Sequence, residues 1–462
     1  MTQKIITRFA PSPTGDLHIG GARTALFNYL FARHHNGEYK LRIENTDKER
    51  SSEAAIATIL AGLNWLGINH DGEAILQSDN FDQHVEAAKH LVKKDLAYEC
   101  YTTIEELHNL RTMQIEKKLP LKYDGRWRQR DENERKKMRL NGIKPTIRIK
   151  MPQQGEIKIQ DMVQGDISVQ NSELDDFILL RADGSPTYML SAVVDDINMH
   201  ISHIIRGSDH LTNSFRQYYL FRALLADDKN IPHFAHIPLI LNEAGEKLSK
   251  RQGGAAISDY QKMGLLPEAM VNYLLRLGWS HGDDEIISIA QGIEWFDIKA
   301  IGKSPARTDT KKLDYLNRHY LSITPDDRLA KLADIDDIKM KKFIPLIKTR
   351  VNNLHQLKST IAILAKIPSH PMANQTLASQ LQNKKDLLKA IYEFLASQDN
   401  FTKQHLQDSI KAWGIKQNLK IKDVAPTIRL ALSGLENSPS CFDMLATLGK
   451  DESLTRLQAA ME

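Results

Sequence analysis

Thr7-Arg-Phe-Ala-Pro-Ser-Pro-Thr-Gly15-Asp-Leu-His18-Ile-Gly20-Gly21 is the stretch on which the fold turns. Just upstream, Lys4 to Ala10 carries Ile5, Ile6 and Phe9 as a short apolar strand, which Pro11-Ser-Pro-Thr-Gly15 then breaks. Downstream, Gly20 to His35 places Ala22, Leu26, Tyr29 and Leu30 at helical spacing, and Leu41 and Ile43 alternate with charged neighbours as a second strand. Strand, loop, helix, strand is a βαβ unit, so an α/β domain opens the chain. Ile56, Ile59, Leu60, Leu63 and Leu66 continue it as an amphipathic helix.

A loop running from a strand into a helix offers free backbone N–H groups and the positive end of the helix dipole to an anion. Gly20 and Gly21 remove side chains where a nucleotide would approach, and His18 offers a hydrogen bond or a positive charge to a phosphate oxygen. The same pattern fits a Pro/Gly loop with a surface histidine. It is not a Walker loop, because no Gly-Lys-Ser/Thr follows.

At 462 residues the chain is expected to hold about three domains, or two of which one is large. We expect boundaries at 1–102, 103–187, 188–240, 241–324 and 325–462. Between 103 and 187 a Lys/Arg-rich stretch precedes the alternating segments Thr146-Ile-Arg-Ile-Lys150 and Ile157-Lys-Ile159, which reads as an inserted module. The α/β character then returns: Val193-Val194, Ile204-Ile205 and Ile237-Pro-Leu-Ile240 are expected as buried strands around a helix from Ser214 to Leu225. Beyond Pro325 apolar residues recur only at helical spacing, as in Leu354, Leu357, Ile361, Leu364 and again Leu388, Ile391, Leu395.

Hydrophobic residues at 41% and charged residues at 26% exclude global disorder and collagen-like repeats. A net charge of +4 is too small for a histone-like protein, yet allows a local basic face. Cys100 and Cys441 are too few and too far apart for a disulfide framework, which fits a cytoplasmic location. The first residues hold no signal-peptide core, and Ala25 to Ala32 is interrupted by Asn28 and far short of the ~20 residues a membrane span needs. Membrane insertion is not expected.

A second chemical segment lies far downstream. Gly245-Glu-Lys247-Leu-Ser249-Lys250-Arg251-Gln-Gly-Gly254 sets three cations among glycines, between a strand candidate and a helix candidate. Alone it reads as a solvated loop. Beside the first segment it reads as a cationic lid over phosphates.

The two together, His18-Ile-Gly-Gly21 and Lys247-Leu-Ser-Lys-Arg251, resemble the signature pair of class I aminoacyl-tRNA synthetases. Thr7 to Gly15, Leu41-Arg-Ile-Glu44-Asn-Thr-Asp47, Asp183-Gly-Ser-Pro-Thr-Tyr188, Val194-Asp-Asp196, Ile205-Arg-Gly-Ser-Asp-His210 and Asn272-Tyr-Leu-Leu-Arg-Leu-Gly-Trp279 are, in that order, similar to stretches of the bacterial-type glutamyl-tRNA synthetase family. Ile428-Arg-Leu-Ala-Leu-Ser-Gly434 and Leu448-Gly-Lys450 are similar to its helical anticodon-binding domain.

The resemblance implies an α/β, Rossmann-like catalytic domain (1–102 and 188–240) split by an inserted α/β acceptor-stem-binding module (103–187). A lysine-loop and stem-contact region (241–324) and an all-α anticodon-binding domain (325–462) would follow. It implies ATP-dependent ligation of L-glutamate to tRNA through a glutamyl adenylate, with Mg²⁺ accompanying ATP and activation that requires tRNA. His18, Lys247 and Lys250 would be catalytic. Ser12, His18, Gly20, Gly21, Lys247, Ser249 and Lys250 would bind ATP, and Arg8, Ala10, Ser12, Glu44, Tyr188 and Arg206 would bind glutamate. Arginines suit a substrate with two carboxylates because their planar fork bonds carboxylate bidentately. In the C-terminal third, Lys411, Lys416, Lys420, Lys422 and Arg429 are candidates for a tRNA-facing basic patch.

One departure concerns metal. Many relatives carry a zinc knuckle in the inserted module, but here Cys100 stands alone and Trp127 takes the place of a frequent cysteine, so no structural zinc is expected. A monomer is expected. The acceptor is left open as tRNA(Glu) only, tRNA(Gln) as well, or mainly the latter for a subsequent amidotransferase. A non-catalytic tRNA-binding paralogue is disfavoured by the intact His18, Gly20, Lys247 and Lys250. A truncated relative that glutamylates a tRNA base is disfavoured by the helical third.

Overall fold

The computed structural model describes residues 4–46, 51–225, 228–246, 248, 256–368, 375–435 and 437–461. They form two compact units, one of Met1–Gln261 with Met270–Thr310 and one of Lys262–Ala269 with Lys311–Glu462. In chain order the first begins β1 (Ile6–Phe9), α1 (Ile19–His34), β2 (Glu38–Ile43), α2 (Glu53–Trp65), β3 (Ile75–Leu76), α3 (Phe81–Lys93) and β4 (Ala97–Cys100). Next come α4 (Ile104–Glu116), α5 (Glu132–Leu140), β5 (Thr146–Ile149), β6 (Glu156–Asp161), β7 (Gly165–Gln170) and β8 (Ile178–Leu180). After these run α6 (Tyr188–Asn198), β9 (His203–Gly207), α7 (Leu211–Leu225), β10 (His233–Ile237) and β11 (Ile240–Leu241).

β1 is buried at all four residues, with β2 paired on one side and β9 packed on the other, which is why its sequence does not alternate. It pairs in parallel with β2, and β2 with β3. The chain leaving α1 passes so close to β1 that a Cβ on Gly37 would lie 2.2 Å from the Ile5 carbonyl oxygen. A second sheet runs β7-β6-β10-β9, parallel from β6 through β10 to β9. The two sheets meet through both backbone and side-chain hydrogen bonds. Ser202 accepts from Ile6 N through its hydroxyl at 2.7 Å and donates its own N–H to Ile6 O at 2.9 Å. The buried Asn28 of α1 donates to Ile205 O at 2.9 Å and accepts from Thr7 Oγ1 at 2.9 Å.

Three expectations are corrected here. Val193 and Val194 lie in α6, not in a strand, because Leu190, Val193, Val194 and Ile197 share the i, i+3, i+4, i+7 face that packs into the core. Packing of that face overrides the strand preference of a valine pair. Ile237 and Ile240 belong to two strands separated by Pro238, which has no N–H for a ladder and whose carbonyl accepts from Arg23 Nη2. The hairpin β6–β7, expected within the inserted module, instead extends the β9–β10 sheet through β6. The remaining strands of that module, β5 and β8, pair with β4, which starts at Ala97, ahead of the expected boundary.

Among the described residues the second unit is helical. The helices 354–364, 385–396, 403–416, 421–433 and 441–459 bury Leu357, Ile361, Leu388, Ile391, Leu406, Ile410, Val424, Ile428 and Leu457. The unit's long segment begins at Lys311, ahead of Pro325, since helix 310–323 buries Leu316, Asn317 and Leu321, and Asn317 accepts from Leu266 N, in the unit's shorter segment, at 2.8 Å. Arg456, fully buried, donates from Nη1 to the last-turn carbonyls of Leu364 at 2.9 Å and Leu432 at 2.7 Å, satisfying acceptors that helix ends leave unpaired. No helix among the described residues is long and apolar enough to cross a membrane.

Candidate active site

His18 caps α1. Its backbone is extended at φ −75°, ψ 149°, and its Nδ1 accepts the Gly20 N–H at 3.1 Å. An Nδ1 that accepts carries no proton, so the ring proton sits on Nε2, and of the two roles open to His18 the cap selects a neutral hydrogen-bond donor. A Cβ on Gly20 would meet nothing nearer than His18 Nδ1 at 3.5 Å, so protein packing does not demand this glycine; the room it leaves belongs to a cavity.

That cavity, of about 360 Å³, is lined by all nine described site candidates: Arg8, Ala10, Ser12, His18, Gly20, Gly21, Glu44, Tyr188 and Arg206. It opens where β1 and β9 end, the edge of an open α/β sheet where ligands bind. Leu248 also lines it. Lys247, Ser249, Lys250 and Arg251 lie outside the described residues, but the chain around them is placed on both sides. It enters after a turn in which Asn242 and Glu246 hydrogen-bond, and at Ala256 it forms an antiparallel bridge with His18.

Charge inside the cavity is arranged unevenly. Asp196, on α6, accepts from Arg8 Nε at 3.0 Å and Nη2 at 3.4 Å and from Arg42 Nη1 at 2.5 Å. Arg42, fully buried, also reaches Glu44 Oε1 at 3.1 Å. Burial opposes ionisation of Asp196, but Arg42 and Arg8 outweigh it and hold the carboxyl below its usual range. At Glu44 burial wins over Arg42 and pushes the carboxyl up.

Arg206 differs. Its hydrogen-bond partners among the described residues are all neutral: His236 Nε2 at 3.2 Å, Tyr188 Oη at 3.4 Å, Ser214 Oγ at 2.5 Å and His210 O at 3.5 Å. Burial pulls its guanidinium below the ordinary range. A buried cation with only neutral partners calls for an anion, and the cavity is where one can reach it.

Sequence reasoning passed over Arg42, Asp196, Asp161, His236 and Ser214. Arg42 sat in one quoted stretch and Asp196 in another, as an acid inside the apolar run of α6. Its neighbour Asp195 has a different job: it accepts from His84, Asn80 and Gln77, tying α3 and the turn before it to α6. Asp161 and His236 left no signal, being 75 residues apart.

At the end of β4, Cys100 Sγ lies 3.3 Å from both Thr102 Oγ1 and Tyr123 Oη, and the Arg148 guanidinium sits 3.8 Å from the centre of the Tyr123 ring. Among the described residues no group of three or more His, Cys, Asp or Glu is placed to hold a metal. In the second unit Lys411, Lys416, Lys420 and Lys422 are exposed around the turn between helices 403–416 and 421–433, and Arg429 is half-buried.

Residues 4–315 match the model for the catalytic domain of class I tRNA synthetases (E and Q), and residues 314–461 match an anticodon-binding domain. The chain belongs to the class I tRNA synthetases of the E and Q type. It is 47% identical over 470 residues to glutamate–tRNA ligase 2 of Rhizorhabdus wittichii, covering 98% of each chain. It is 46% identical over 475 residues to glutamate–tRNA ligase 2 of Parvibaculum lavamentivorans, covering 99% of this chain and 95% of that one. The crystal structure of a glutamate tRNA ligase from Elizabethkingia meningosepticum in complex with its amino acid superposes with a TM-score of 0.88 at 30% identity, covering 99% of both chains.

Proposed function

We propose that this chain ligates L-glutamate to tRNA(Glu) at the expense of ATP, releasing AMP and pyrophosphate, as a monomeric cytoplasmic enzyme. The observation that carries this reading is Arg206, a buried cation whose hydrogen-bond partners among the described residues are all neutral, facing the cavity that His18 and the start of α1 also line. A glutamate carboxylate neutralises Arg206, the substrate ammonium pairs with Glu44, and Ala10 and Ser12 border the same space. The α-carboxylate attacks the α-phosphorus of ATP, pyrophosphate leaves, and the terminal ribose of tRNA then takes the glutamyl group from the adenylate. Neither step needs a protein nucleophile, so the site works by positioning and charge stabilisation. The His18 Nε2–H and the α1 N-terminus meet phosphate charge, Mg²⁺ accompanies the nucleotide, and Lys247, Ser249 and Lys250 complete the phosphate grip. Lys411, Lys416, Lys420, Lys422 and Arg429 contribute the basic face for tRNA.

Purified protein with ATP and Mg²⁺ is expected to charge tRNA(Glu) transcript with glutamate, and to use glutamine worse by roughly 10²-fold or more in kcat/KM, since an amide leaves Arg206 uncompensated. Equal use of the two amino acids would remove Arg206 from the carboxylate site. A tRNA(Gln) transcript run in parallel separates a discriminating enzyme from one that charges both.

The raised Glu44 carboxyl sets a pH dependence. Only its ionised form pairs with an ammonium, so affinity for glutamate is full above the raised value and falls as pH drops through it. KM for glutamate should climb on acidification before the ordinary carboxylate range is reached, while Glu44→Gln shows a high, flat KM. A wild-type KM that stays level down to that range rules Glu44 out as the ammonium partner.

We also expect no structural zinc: metal analysis should find well under one zinc per chain, and chelation should leave the melting curve in place. One tightly held zinc per chain overturns this.

A further inference from the structure

Arg206, His236 and Asp161 sit side by side on three neighbouring strands. Across β9 and β10 the residue opposite Arg206 is His236, and Asp161 closes β6, the next strand along. The side chains of Asp161 and His236 are both fully buried. Asp161 Oδ1 accepts backbone N–H groups of Val163 at 3.0 Å, Gln164 at 2.8 Å and His236 at 3.1 Å, while Oδ2 stands 2.6 Å from His236 Nδ1.

We propose that Asp161 and His236 are positioning residues whose chain of hydrogen bonds fixes the imidazole tautomer that holds the Arg206 guanidinium in place for the substrate carboxylate. The proposal rests on the reading that Arg206 binds glutamate. Burial opposes ionisation of Asp161, but the bonds from His236 and from backbone N–H groups hold it below the usual carboxylate range, so it is a pure acceptor. His236 Nδ1 must therefore donate to it, and Nε2 is left with its lone pair. That lone pair faces Arg206 Nε at 3.2 Å and Ser214 Oγ at 2.9 Å. Ser214 Oγ in turn accepts from Arg206 Nη2 at 2.5 Å and has a second acceptor for its own proton in His210 O at 3.3 Å. Arg206 is thus held along its Nε and Nη2 edge, and Nη1, 3.4 Å from Tyr188 Oη, is the end turned to the cavity-lining tyrosine. The arrangement parallels the carboxylates that orient metal-bound histidines, with a guanidinium in place of the metal.

The isosteric change Asp161→Asn separates this role from mere packing. Its amide oxygen can keep the three backbone bonds, but its NH₂ then faces His236 Nδ1, which must become an acceptor; the proton moves to Nε2 and points at the Arg206 N–H. KM for glutamate is expected to rise roughly 10-fold or more, the scale seen when the outer partner of a bound histidine is removed, while KM for ATP stays put. His236→Phe should behave likewise, and His236→Gln, which offers a carbonyl near the Nε2 position, should recover part of the loss. In protein carrying nitrogen-labelled histidine, the signal that disappears in His236→Phe should switch from an Nδ1–H to an Nε2–H tautomer in Asp161→Asn. Arg206→Ala is the control. If it raises KM for glutamate and Asp161→Asn leaves that KM within about twofold of wild type, or raises the KM values for glutamate and ATP alike, the relay is overturned while the pocket stands. If Arg206→Ala leaves KM for glutamate unchanged, the pocket reading and the relay fall together.

Discussion

Asp196→Ala is expected to cost the first unit about 3–5 kcal/mol of stability, because breaking a buried ion pair strands the remaining charge. Asp196 is the shared partner of Arg8 at 4% exposure and Arg42 at 0%, so its loss strands Arg8 and leaves Arg42 to Glu44 at 3.1 Å. Whole proteins are stable by only about 5–15 kcal/mol, and for units of this size each kcal/mol moves the melting temperature by roughly 2–4 °C. A fall on the order of 10 °C, with loss of measurable glutamate binding, is therefore the expected result. The pH dependence has a definite sign. A carboxyl whose folded pKa lies below its unfolded one contributes stability that is present above the unfolded value and lost as pH falls through the folded one. Acid should thus erode wild-type stability below the ordinary carboxylate range, and the gap between wild type and Asp196→Ala should narrow there. A variant that melts within a few degrees of wild type, roughly 1 kcal/mol, and binds glutamate normally would refute the charge balance described for this pocket.

His18→Ala combines two losses of different kinds. The cap on α1 is worth about 1 kcal/mol, and a hydrogen bond to developing phosphate charge about 3 kcal/mol of transition-state stabilisation, so kcat should fall roughly 10²-fold or more. His18→Asn separates them. Asparagine is among the best N-cap residues and should restore the stability of α1, yet its side chain stops short of where Nε2 stood. It should melt like wild type and remain slow. Recovery of wild-type kcat in His18→Asn would reduce His18 to a cap.

The parts legible in the sequence were those whose physics is local. The loop from Pro11 to Gly15 and the helix starting beyond His18 follow from breakers, a cap and helical periodicity within a few residues of one another. All nine described candidates for the ATP and glutamate sites border one cavity because six of them, Arg8 to Gly21, lie on that single strand-loop-helix run. The helices of the second unit were equally legible, since an amphipathic face repeats every turn. The failures were also physical. Val193-Val194 carried a strand preference that the packed face of α6 outweighed, and Ile237 to Ile240 was divided by one missing N–H at Pro238.

What only the tertiary structure decided is which charges face each other. Nothing local tells that Asp196 serves two arginines 154 and 188 residues away, or that Asp161 stands behind His236 across 75 residues. Buried ions are tolerated only where partners meet them, and in a parallel sheet those partners arrive on neighbouring strands from distant parts of the chain. The sequence on its own therefore determined the family, the strand-loop-helix run of the first residues and the residue types of the pocket. The fold alone set Arg206 on the cavity wall with hydrogen-bond partners that, among the described residues, are all neutral.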